Sequence, residues 1–401
     1  MTATVLEAIA QSAAWANEHR NTDRLRQAMH RHGCLVYAAG GYGRQVAAAL
    51  RDEGYPVKGF VDSAAQPGQD VLGLSCRLPD AILPAEAHDA VLVMAINNFR
   101  TPSDEVLAWA RQLGFAEIVT MPELPDVIAP RLGNYWQASR QHLDDHRDAI
   151  ARAERLLTDQ RSRDILRQLV TYRISGRTED HPPVDRDRQY FPADLPLARA
   201  DLAVIDCGAF PGDLAQTAQK AGLHLARWFA FEPDPGNFRA LSEFAAANSD
   251  LVGEAILFPC GVGDRTGSIR FATGNADASR AISGGGNEAG GNEAGGDEVG
   301  GDEVGGDGAQ VLPIVRIADV LRLERLDLVK LDIEGFEAAA LDGLAPLLAQ
   351  HRPRLAMAIY HKPSDLWELP LKVDAMQPGG RYAIRQHGYN GYDTVLYVDW
   401  D

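Results

Sequence analysis

The chain has 401 residues, of which 24% are charged and 45% hydrophobic, and its formal net charge is −17 at pH 7. That length is enough for two domains with sizeable cores, and the hydrophobic fraction is ordinary for a globular protein. The strong negative charge repels phosphate backbones, so nucleic acid is not expected as a substrate. No apolar run is long enough for a membrane span.

The first 20 residues lack the basic-then-apolar layout of a secretion signal. We expect them to form an exposed helix of a cytoplasmic protein. The cysteines have no C-x-x-C spacing, and most lie in apolar, strand-like contexts: Cys34, Cys76, Cys207 and Cys260. This pattern favours buried thiols over zinc ligands or disulfides.

Strands and helices alternate in the first third of the chain. A strand at Cys34–Tyr37 leads into the glycine turn Gly40–Gly43, and a second strand, Val57–Val61, ends in Asp62. A third strand at 90–95 and a short strand at 117–120 complete the unit. Alternation of this kind predicts a parallel sheet. Residues 1–125 therefore resemble a small Rossmann-like α/β domain, either a scaffold or a binding site for a nucleotide or nucleotide sugar.

Residues 126–195 change in character and predict a helical connector. The stretch 140–173 is charged, with leucines at helical spacing. The aromatic segment Tyr190-Phe191-Pro192 stands just before the next strand. Core packing is the favoured interpretation of these aromatic residues.

Residues 196–401 are predicted to form a second domain, and its central motif is the stretch 202–213. A buried strand ends at Asp206 and turns through Gly208 and Gly212 into a helix, giving the spacing D-x-G-A-x-x-G. The next strand, 227–231, ends in Glu232. An acid at that position is typical of a site that grips the ribose of a nucleoside. A dinucleotide site would show G-x-G-x-x-G with no acid before it. The spacing here instead resembles the S-adenosylmethionine site of class I methyltransferases.

Three further strands are predicted in this domain. The strand at 255–259 leads into Cys260-Gly261-Val262. The strand at 326–331 ends in Asp332-Ile333-Glu334-Gly335, and the strand at 354–360 ends in His361-Lys362-Pro363. Segments 382–386 and 394–398 predict a closing antiparallel pair. Between these elements, residues 284–309 repeat acidic glycine pentads with almost no apolar mass, which predicts a disordered loop.

These motifs together resemble the FkbM family of S-adenosylmethionine-dependent methyltransferases. The resemblance covers roughly residues 190–400 and rests on motifs that stand in the order D-x-G-A-x-x-G at 206–212, F-E-P-D at 231–234, K-L-D-I-E-G-x-E at 330–337 and Y-H-K-P-x-D-L-W-E at 360–368. Phe210, where the family has a small polar residue, and the pentad loop depart from the pattern. The resemblance implies a class I methyltransferase sheet and O-methylation of a hydroxyl on a sugar or other natural product.

The same resemblance implies that the region of Tyr190-Phe191-Pro192 walls the cofactor site, which is the alternative to core packing. It also implies roles for individual residues. The residues expected to bind the cofactor are Asp206, Gly208, Ala209, Gly212 and Asp213 at its methionine end, Glu232 and Pro233 at the ribose, and Cys260, Gly261 and Val262 beside the adenine. The residues expected to face the transferred methyl group are Asp332, Glu334 and His361. Lys330 is expected to be a further catalytic residue, with a salt bridge to Asp332 or Glu334 as the alternative. The first and fourth strands of the domain are expected to meet at this site.

Several alternatives stay open at this point. His361 is the first choice for the base that takes the acceptor proton, with Asp332 or Glu334 second. No metal is expected, although a divalent ion on these three residues would be an alternative. N- or C-methylation, or a nucleotide-sugar-binding regulatory protein, are the competing functions. A small-molecule or carbohydrate acceptor is the expected partner, and the sequence leaves a homodimer open.

Overall fold

A computed structural model describes residues 4–128, 135–272, 280–282 and 309–400. The chain folds into two compact units. Unit 1 comprises residues 1–186, 359–371 and 381–396, and unit 2 comprises residues 187–358, 372–380 and 397–401. Apart from residue 309, the predicted pentad loop lies outside the described residues.

The secondary structure alternates between helices and strands over most of the chain. The α-helices are α1 Val5–His19, α2 Thr22–His32, α3 Gly41–Asp52, α4 Pro84–His88, α5 Asp104–Leu113, α6 Leu124–Val127, α7 Arg140–Asp145, α8 Arg147–Leu156, α9 Gln160–Ser175, α10 Asp213–Lys220, α11 Pro235–Ala247, α12 Ile317–Val320, α13 Glu337–His351 and α14 Asp365–Met376. The strands are β1 Cys34–Tyr37, β2 Val57–Val61, β3 Asp70–Val71, β4 Leu74–Arg77, β5 Val91–Met94, β6 Glu117–Val119, β7 Asp201–Cys207, β8 His224–Phe231, β9 Val252–Phe258, β10 Gly261–Val262, β11 Gly267–Ala272, β12 Arg280–Ile282, β13 Ala309–Val315, β14 Leu328–Leu331, β15 Arg354–Ala358, β16 Arg381–Gln386 and β17 Thr394–Asp399.

Unit 1 is built on a sheet in the order β3-β4-β2-β1-β5-β6. The pairs β1–β2, β1–β5, β2–β4 and β5–β6 are parallel, whereas β3 and β4 form an antiparallel pair. Leu35 and Leu92 of the central strands are fully buried in the core of this sheet. The parallel sheet predicted for this part of the chain is therefore confirmed.

Helices from residues 140–175 belong to unit 1 as well. Helix α1 packs on α9, and the amide of Val5 donates a hydrogen bond to Glu154 of α8 at 3.2 Å. The predicted helix at the start of the chain is confirmed, but its predicted exposure is wrong, because Val5 and Ile9 are buried. One apolar face of α1 covers the connector helices, while its polar face meets water.

A buried ion-pair network joins residues on both sides of position 126. The carboxylate of Glu123, which is 1% exposed, lies 2.7 Å from Arg20 Nε and 3.5 Å from Arg140 Nη2. A buried charge is costly unless it is paired, so all three residues stabilise one another. The boundaries predicted at 125/126 and 195/196 stay predictions.

Unit 2 is built on the parallel strand order β15-β14-β7-β8-β9. The pairs β14–β15, β14–β7, β7–β8 and β8–β9 are all parallel. Strands β7, β14 and β15 are buried along most of their length, as expected for a sheet whose two faces are covered. The chain therefore has the predicted α/β class with Rossmann-like parallel sheets.

A smaller sheet in unit 2 has the order β10-β13-β11-β12. Strand β10 pairs with β13 in parallel, and β11 pairs with both β13 and β12 in antiparallel fashion. Residues 267–272 alternate in sequence as in a hairpin strand, and they form β11. In the described part of the chain, none of the helices is long and apolar enough to cross a membrane.

Candidate functional site

The candidate site lies where the strand order of unit 2 reverses. Strands β7 and β14 are neighbours, and Cys207 at the end of β7 is in register with Leu331 at the end of β14. Strands β8 and β9 follow on one side of β7, whereas β14 and β15 lie on the other. Open parallel sheets bind ligands at such a reversal, beyond the carboxyl ends of the strands. The expected meeting of the first and fourth strands is confirmed.

The loop after β7 passes very close to the loop after β14. Gly208 has a φ of 78°, and a Cβ atom added there would lie 2.0 Å from the carbonyl oxygen of Asp332. The amides of Gly208 and Ala209 both donate to the carbonyl of Phe231 at 3.0 Å. Glycine is therefore required at 208, both for the backbone angle and for the approach of the two loops.

Replacement of Gly208 by alanine tests this close approach. We expect Gly208→Ala to destabilise the protein by several kcal/mol, since the clash is with backbone and has to be relieved by separating the two loops. Gly54→Ala is the matched control, because Gly54 has a φ of 81° with no atom within 4 Å of the added Cβ. Urea unfolding of both variants gives the comparison, and equal losses would contradict the clash.

Asp206 and Lys330 form a buried ion pair below this loop. Asp206 is 0% exposed, its Oδ1 lies 3.2 Å from Lys330 Nζ, and its Oδ2 accepts a hydrogen bond from Trp228 Nε1 at 3.1 Å. Lys330 also donates to the carbonyls of Cys207, at 3.3 Å, and Gly208. The ammonium therefore holds the start of the loop after β7, residues 208–213, which we call the glycine loop. Asp206, expected at the methionine end of the cofactor, lies beneath the loop and supports it from there.

Glu232 at the end of β8 ties two loops together. Its Oε2 accepts the amide of Phe210 at 2.9 Å, and its Oε1 accepts the amide of Asp234 at 2.9 Å. Burial raises the pKa of Glu232, and the two backbone hydrogen bonds oppose that rise. Each carboxylate oxygen can accept a further hydrogen bond. The carboxylate can therefore hold the loop and still accept from a hydroxyl.

The predicted adenine-side residues lie next to this acid. Gly261 and Val262 form β10, and the Cβ position of Gly261 is 3.9 Å from Pro233, the residue after Glu232. Cys260 is 7% exposed, and burial raises the pKa of its thiol to about 11. The structure brings the ends of β8 and β9 together, while Asp213 at the start of α10 is exposed.

The loop after β14 is held in an unusual backbone conformation. Glu334 and Gly335 have φ angles of 56° and 92°, and the amide of Ile333 donates to Glu337 Oε1 at 2.9 Å. Asp332 and Glu334 are partly exposed. A non-glycine residue at positive φ is uncommon and is maintained here by the surrounding contacts. Two carboxylates are thus presented beside the glycine loop.

His361 belongs to unit 1, just after the end of β15. It is 7% exposed, and its ring centroid lies 4.2 Å from that of Tyr360 and 5.9 Å from that of Tyr135. The turn that follows is capped by Asp365, whose Oδ2 accepts the amide of Lys362 at 2.7 Å. The nearness of His361 to Asp332 stays a prediction.

Some contacts at the site were not predicted from sequence. The hydroxyl of Tyr190 donates to Asp332 Oδ2 at 2.6 Å, and the Trp228 indole reaches Asp206. Tyr190 carried one sequence signal, an aromatic residue just before the first strand of the domain. In the described residues, no group of three or more His, Cys, Asp or Glu side chains could hold a metal ion.

Comparison with known proteins agrees with this architecture. Residues 206–390 match the family model described as the methyltransferase FkbM domain. No curated protein is significantly similar to the chain. Among solved structures, the methyltransferase FkbM from Methylobacillus flagellatus KT is 19% identical, with 98% of this chain and 99% of that chain covered and a TM-score of 0.73. Likeness at that identity shows a shared fold, and residues 206–390, a little under half of the chain, are similar to the methyltransferase domain of the FkbM family.

Proposed function

We propose that this methyltransferase uses S-adenosylmethionine to methylate a hydroxyl group on a sugar, a glycoconjugate or another natural product. The main support for the proposal is a hydrogen bond that joins the ends of β7 and β8. Buried Glu232 accepts it from the amide of Phe210, in the glycine loop 208–213 that follows β7. An acid in that place suits the hydroxyls of a ribose. The proposed reaction type follows the resemblance of the domain to its family.

The residues at these strand ends fit such a cofactor. The backbone approaches closely at Gly208, where a side chain would not fit, and Gly212 begins α10 without a side-chain cap. We assign the methionine end to the loop 208–213, the ribose to Glu232 and Pro233, and the adenine to residues 260–262. When bound, S-adenosylmethionine supplies a methyl carbon whose bond to sulfur breaks as the acceptor oxygen bonds to it.

The protein contributes alignment and a base. Holding the acceptor in line can provide roughly 7–11 kcal/mol of the barrier reduction. His361 is the proposed base that takes the hydroxyl proton, and Asp332 or Glu334 is the second choice. Lys330 is assigned a positioning role, because its ammonium is 5% exposed and already bonded to Asp206 and two loop carbonyls.

Removal of the Glu232 carboxylate tests the cofactor site. We expect Glu232→Ala to weaken the binding of S-adenosylmethionine and S-adenosylhomocysteine by roughly 10-fold or more. The variant loses the hydrogen bond from the carboxylate to the ribose, and it also loses the hydrogen bonds that hold the amides of Phe210 and Asp234. Isothermal titration of each ligand gives the affinity. Asp62→Ala is the matched control, because Asp62 makes the same two kinds of backbone hydrogen bond in unit 1. An unchanged affinity in Glu232→Ala would remove Glu232 from the ribose role.

The acceptor class needs a transfer assay. Tritium from the labelled methyl group is followed into a panel of methyl glycosides, phenols and amines, with the acceptor atom identified by mass spectrometry of the product. Methyl ethers would support the proposal. Methylated amines or carbon atoms would instead establish N- or C-methylation on the same scaffold.

A second candidate function concerns unit 1. Asp62, at the end of β2, accepts the amide of Ala39 at 2.7 Å and that of Ala64 at 2.8 Å. Glu232 makes the same pair of contacts, one to the loop after the preceding strand and one to the residue two positions on. This correspondence favours binding of a nucleotide or nucleotide sugar by unit 1. Titration with NAD and UDP-glucose tests it, and Asp62→Ala should abolish whichever signal appears.

A cytoplasmic location is part of the proposal. All four cysteines are free and buried, which is usual where thiols stay reduced. Fractionation of cells that produce the protein tests this location.

A further inference from the structure

Tyr190 comes from the segment that precedes the matched domain, yet its side chain contacts the centre of the candidate site. The residue is 5% exposed. Its ring lies over the Lys330 ammonium, with 5.4 Å from Nζ to the ring centroid. Its hydroxyl reaches Asp332 at the end of β14. Tyr190 thus contacts two charged residues of one strand: Lys330 within β14 and Asp332 directly after its end.

The hydrogen bonds fix the direction of the Tyr190 hydroxyl. Gln189 Nε2 donates to the phenol oxygen at 3.2 Å, and the phenol O–H donates to Asp332 Oδ2 at 2.6 Å. A short bond from a hydroxyl to a carboxylate is among the stronger hydrogen bonds in proteins. It holds Oδ2 on the Tyr190 side, so the rotation of the Asp332 carboxylate is restrained.

The segment that carries Tyr190 is anchored at two places. The Tyr190 amide donates to the Tyr397 hydroxyl at 3.0 Å. Arg354 of β15 donates to the carbonyls of Leu195, at 2.6 Å, and Pro196, at 3.3 Å, and also pairs with Asp399. These contacts maintain Tyr190 at a φ of 69°, which a tyrosine rarely adopts. Such strain persists only where neighbouring contacts determine the conformation.

We propose that Tyr190 is a positioning residue that orients the Asp332 carboxylate toward the positive sulfonium of the cofactor. The proposal rests on the proposed function. A fixed carboxylate there favours S-adenosylmethionine, which is cationic at sulfur, over S-adenosylhomocysteine, whose sulfur is neutral. Tyr190 therefore acts on cofactor discrimination through Asp332, with no contact of its own to the reacting atoms.

The test compares the affinities of the two ligands in four proteins: wild type, Tyr190→Phe, Asp332→Asn and the double variant. The measured quantity is the ratio of the S-adenosylhomocysteine Kd to the S-adenosylmethionine Kd, obtained by isothermal titration. We expect Asp332→Asn to lower this ratio roughly 10-fold, as for loss of one charge near a cation in a partly solvated site. Tyr190→Phe should lower it in the same direction, and the double variant should match Asp332→Asn alone.

A purely structural role would give a different pattern. Tyr55→Phe is the matched control, because it also removes a buried tyrosine hydroxyl, one that donates to the Val127 carbonyl at 3.3 Å. That variant should leave the ratio unchanged. An unchanged ratio in Tyr190→Phe, or losses that multiply in the double variant, would overturn the proposal.

Failure of the cofactor proposal is distinguishable from failure of the Tyr190 proposal. If the wild-type protein binds neither ligand, the proposed function fails and so does the role in discrimination. The contact itself is then judged by urea unfolding of the same four proteins. Additive stability losses would show that Tyr190 and Asp332 do not interact, whereas losses well short of additive would retain Tyr190 as the residue that orients Asp332.

Discussion

Replacing Lys330 by methionine should destabilise the protein by about 3–5 kcal/mol, because the change leaves the Asp206 carboxylate buried without its cation. Asp206 is 0% exposed and its Oδ1 lies 3.2 Å from Lys330 Nζ. The carbonyls of Cys207 and Gly208 also lose their donor. The glycine loop should therefore loosen together with the loss of stability, which urea unfolding and S-adenosylhomocysteine titration would both detect.

Lys372→Met is the matched control for this substitution. Lys372 Nζ lies 2.8 Å from Asp342, but the two side chains are 31% and 51% exposed. An exposed ion pair contributes at most about 1 kcal/mol, so the control should remain nearly as stable as the wild type. Adding Asp206→Asn to Lys330→Met should recover part of the loss. Equal stability losses in the two lysine variants would show that the buried Lys330–Asp206 pair contributes no more to stability than the exposed Lys372–Asp342 pair.

The Lys330→Met loss should depend on pH in a defined direction. Burial raises the pKa of Asp206, and the variant removes the main charge that opposes the rise. A carboxyl whose pKa is raised by folding costs little below the pKa of about 3.9 that it has in the unfolded chain, where it is neutral in both states. Above that pH the unfolded chain ionises freely, so the stability deficit of the variant should grow from pH 4 towards pH 8.

Much of the fold could be predicted because its strands are continuous apolar runs. The run that ends at Asp206 and the run that ends at Glu232 correspond to β7 and β8, since strands buried on both faces need apolar residues throughout. The end of the fourth strand at Leu331 was also predicted. Its start was set two residues too early, at Leu326 in place of Leu328. Boundaries depend on register with neighbouring strands, which the local sequence does not contain.

The chemistry of the candidate site was harder to predict than its position. The sequence indicated acids at strand ends but not which of them face solvent. Asp206 is covered because Trp228 and Lys330, from two neighbouring strands, both point at it. Pairings between residues this far apart in the chain arise only in the assembled sheet. For the same reason, the position of Tyr190 before the first strand does not show that its hydroxyl contacts Asp332.

The burial of helix α1 could not be predicted from the local sequence either. Its end signals are local, since Thr4 and Glu7 form a reciprocal cap that can be recognised in sequence. Its burial depends on α9, which lies about 150 residues further along the chain. A helix of mixed composition at a chain end was therefore expected to be exposed, whereas its apolar face is covered.

Replacing His361 by alanine should lower the turnover rate by roughly 10²–10⁴, as expected for loss of a general base. The affinity for S-adenosylmethionine should change little, because the residues assigned to the cofactor lie at the ends of other strands. Turnover is measured with the acceptor that the tritium-transfer panel identifies. His351→Ala, which removes a histidine at the end of α13, is the control and should retain full activity.

The pH profile separates the histidine from the carboxylates. A histidine base gives a rate that falls as the pH drops through the range in which the imidazole is protonated, and His361→Ala should flatten this acidic limb. If Asp332→Asn abolishes turnover while His361→Ala stays active, the carboxylate is the base and the histidine only shapes the pocket. If added divalent cation restores both variants, the reaction depends on a metal and the assignment of His361 fails. A flattened acidic limb in His361→Ala, with unchanged cofactor affinity, would identify the imidazole as the group that takes the acceptor proton.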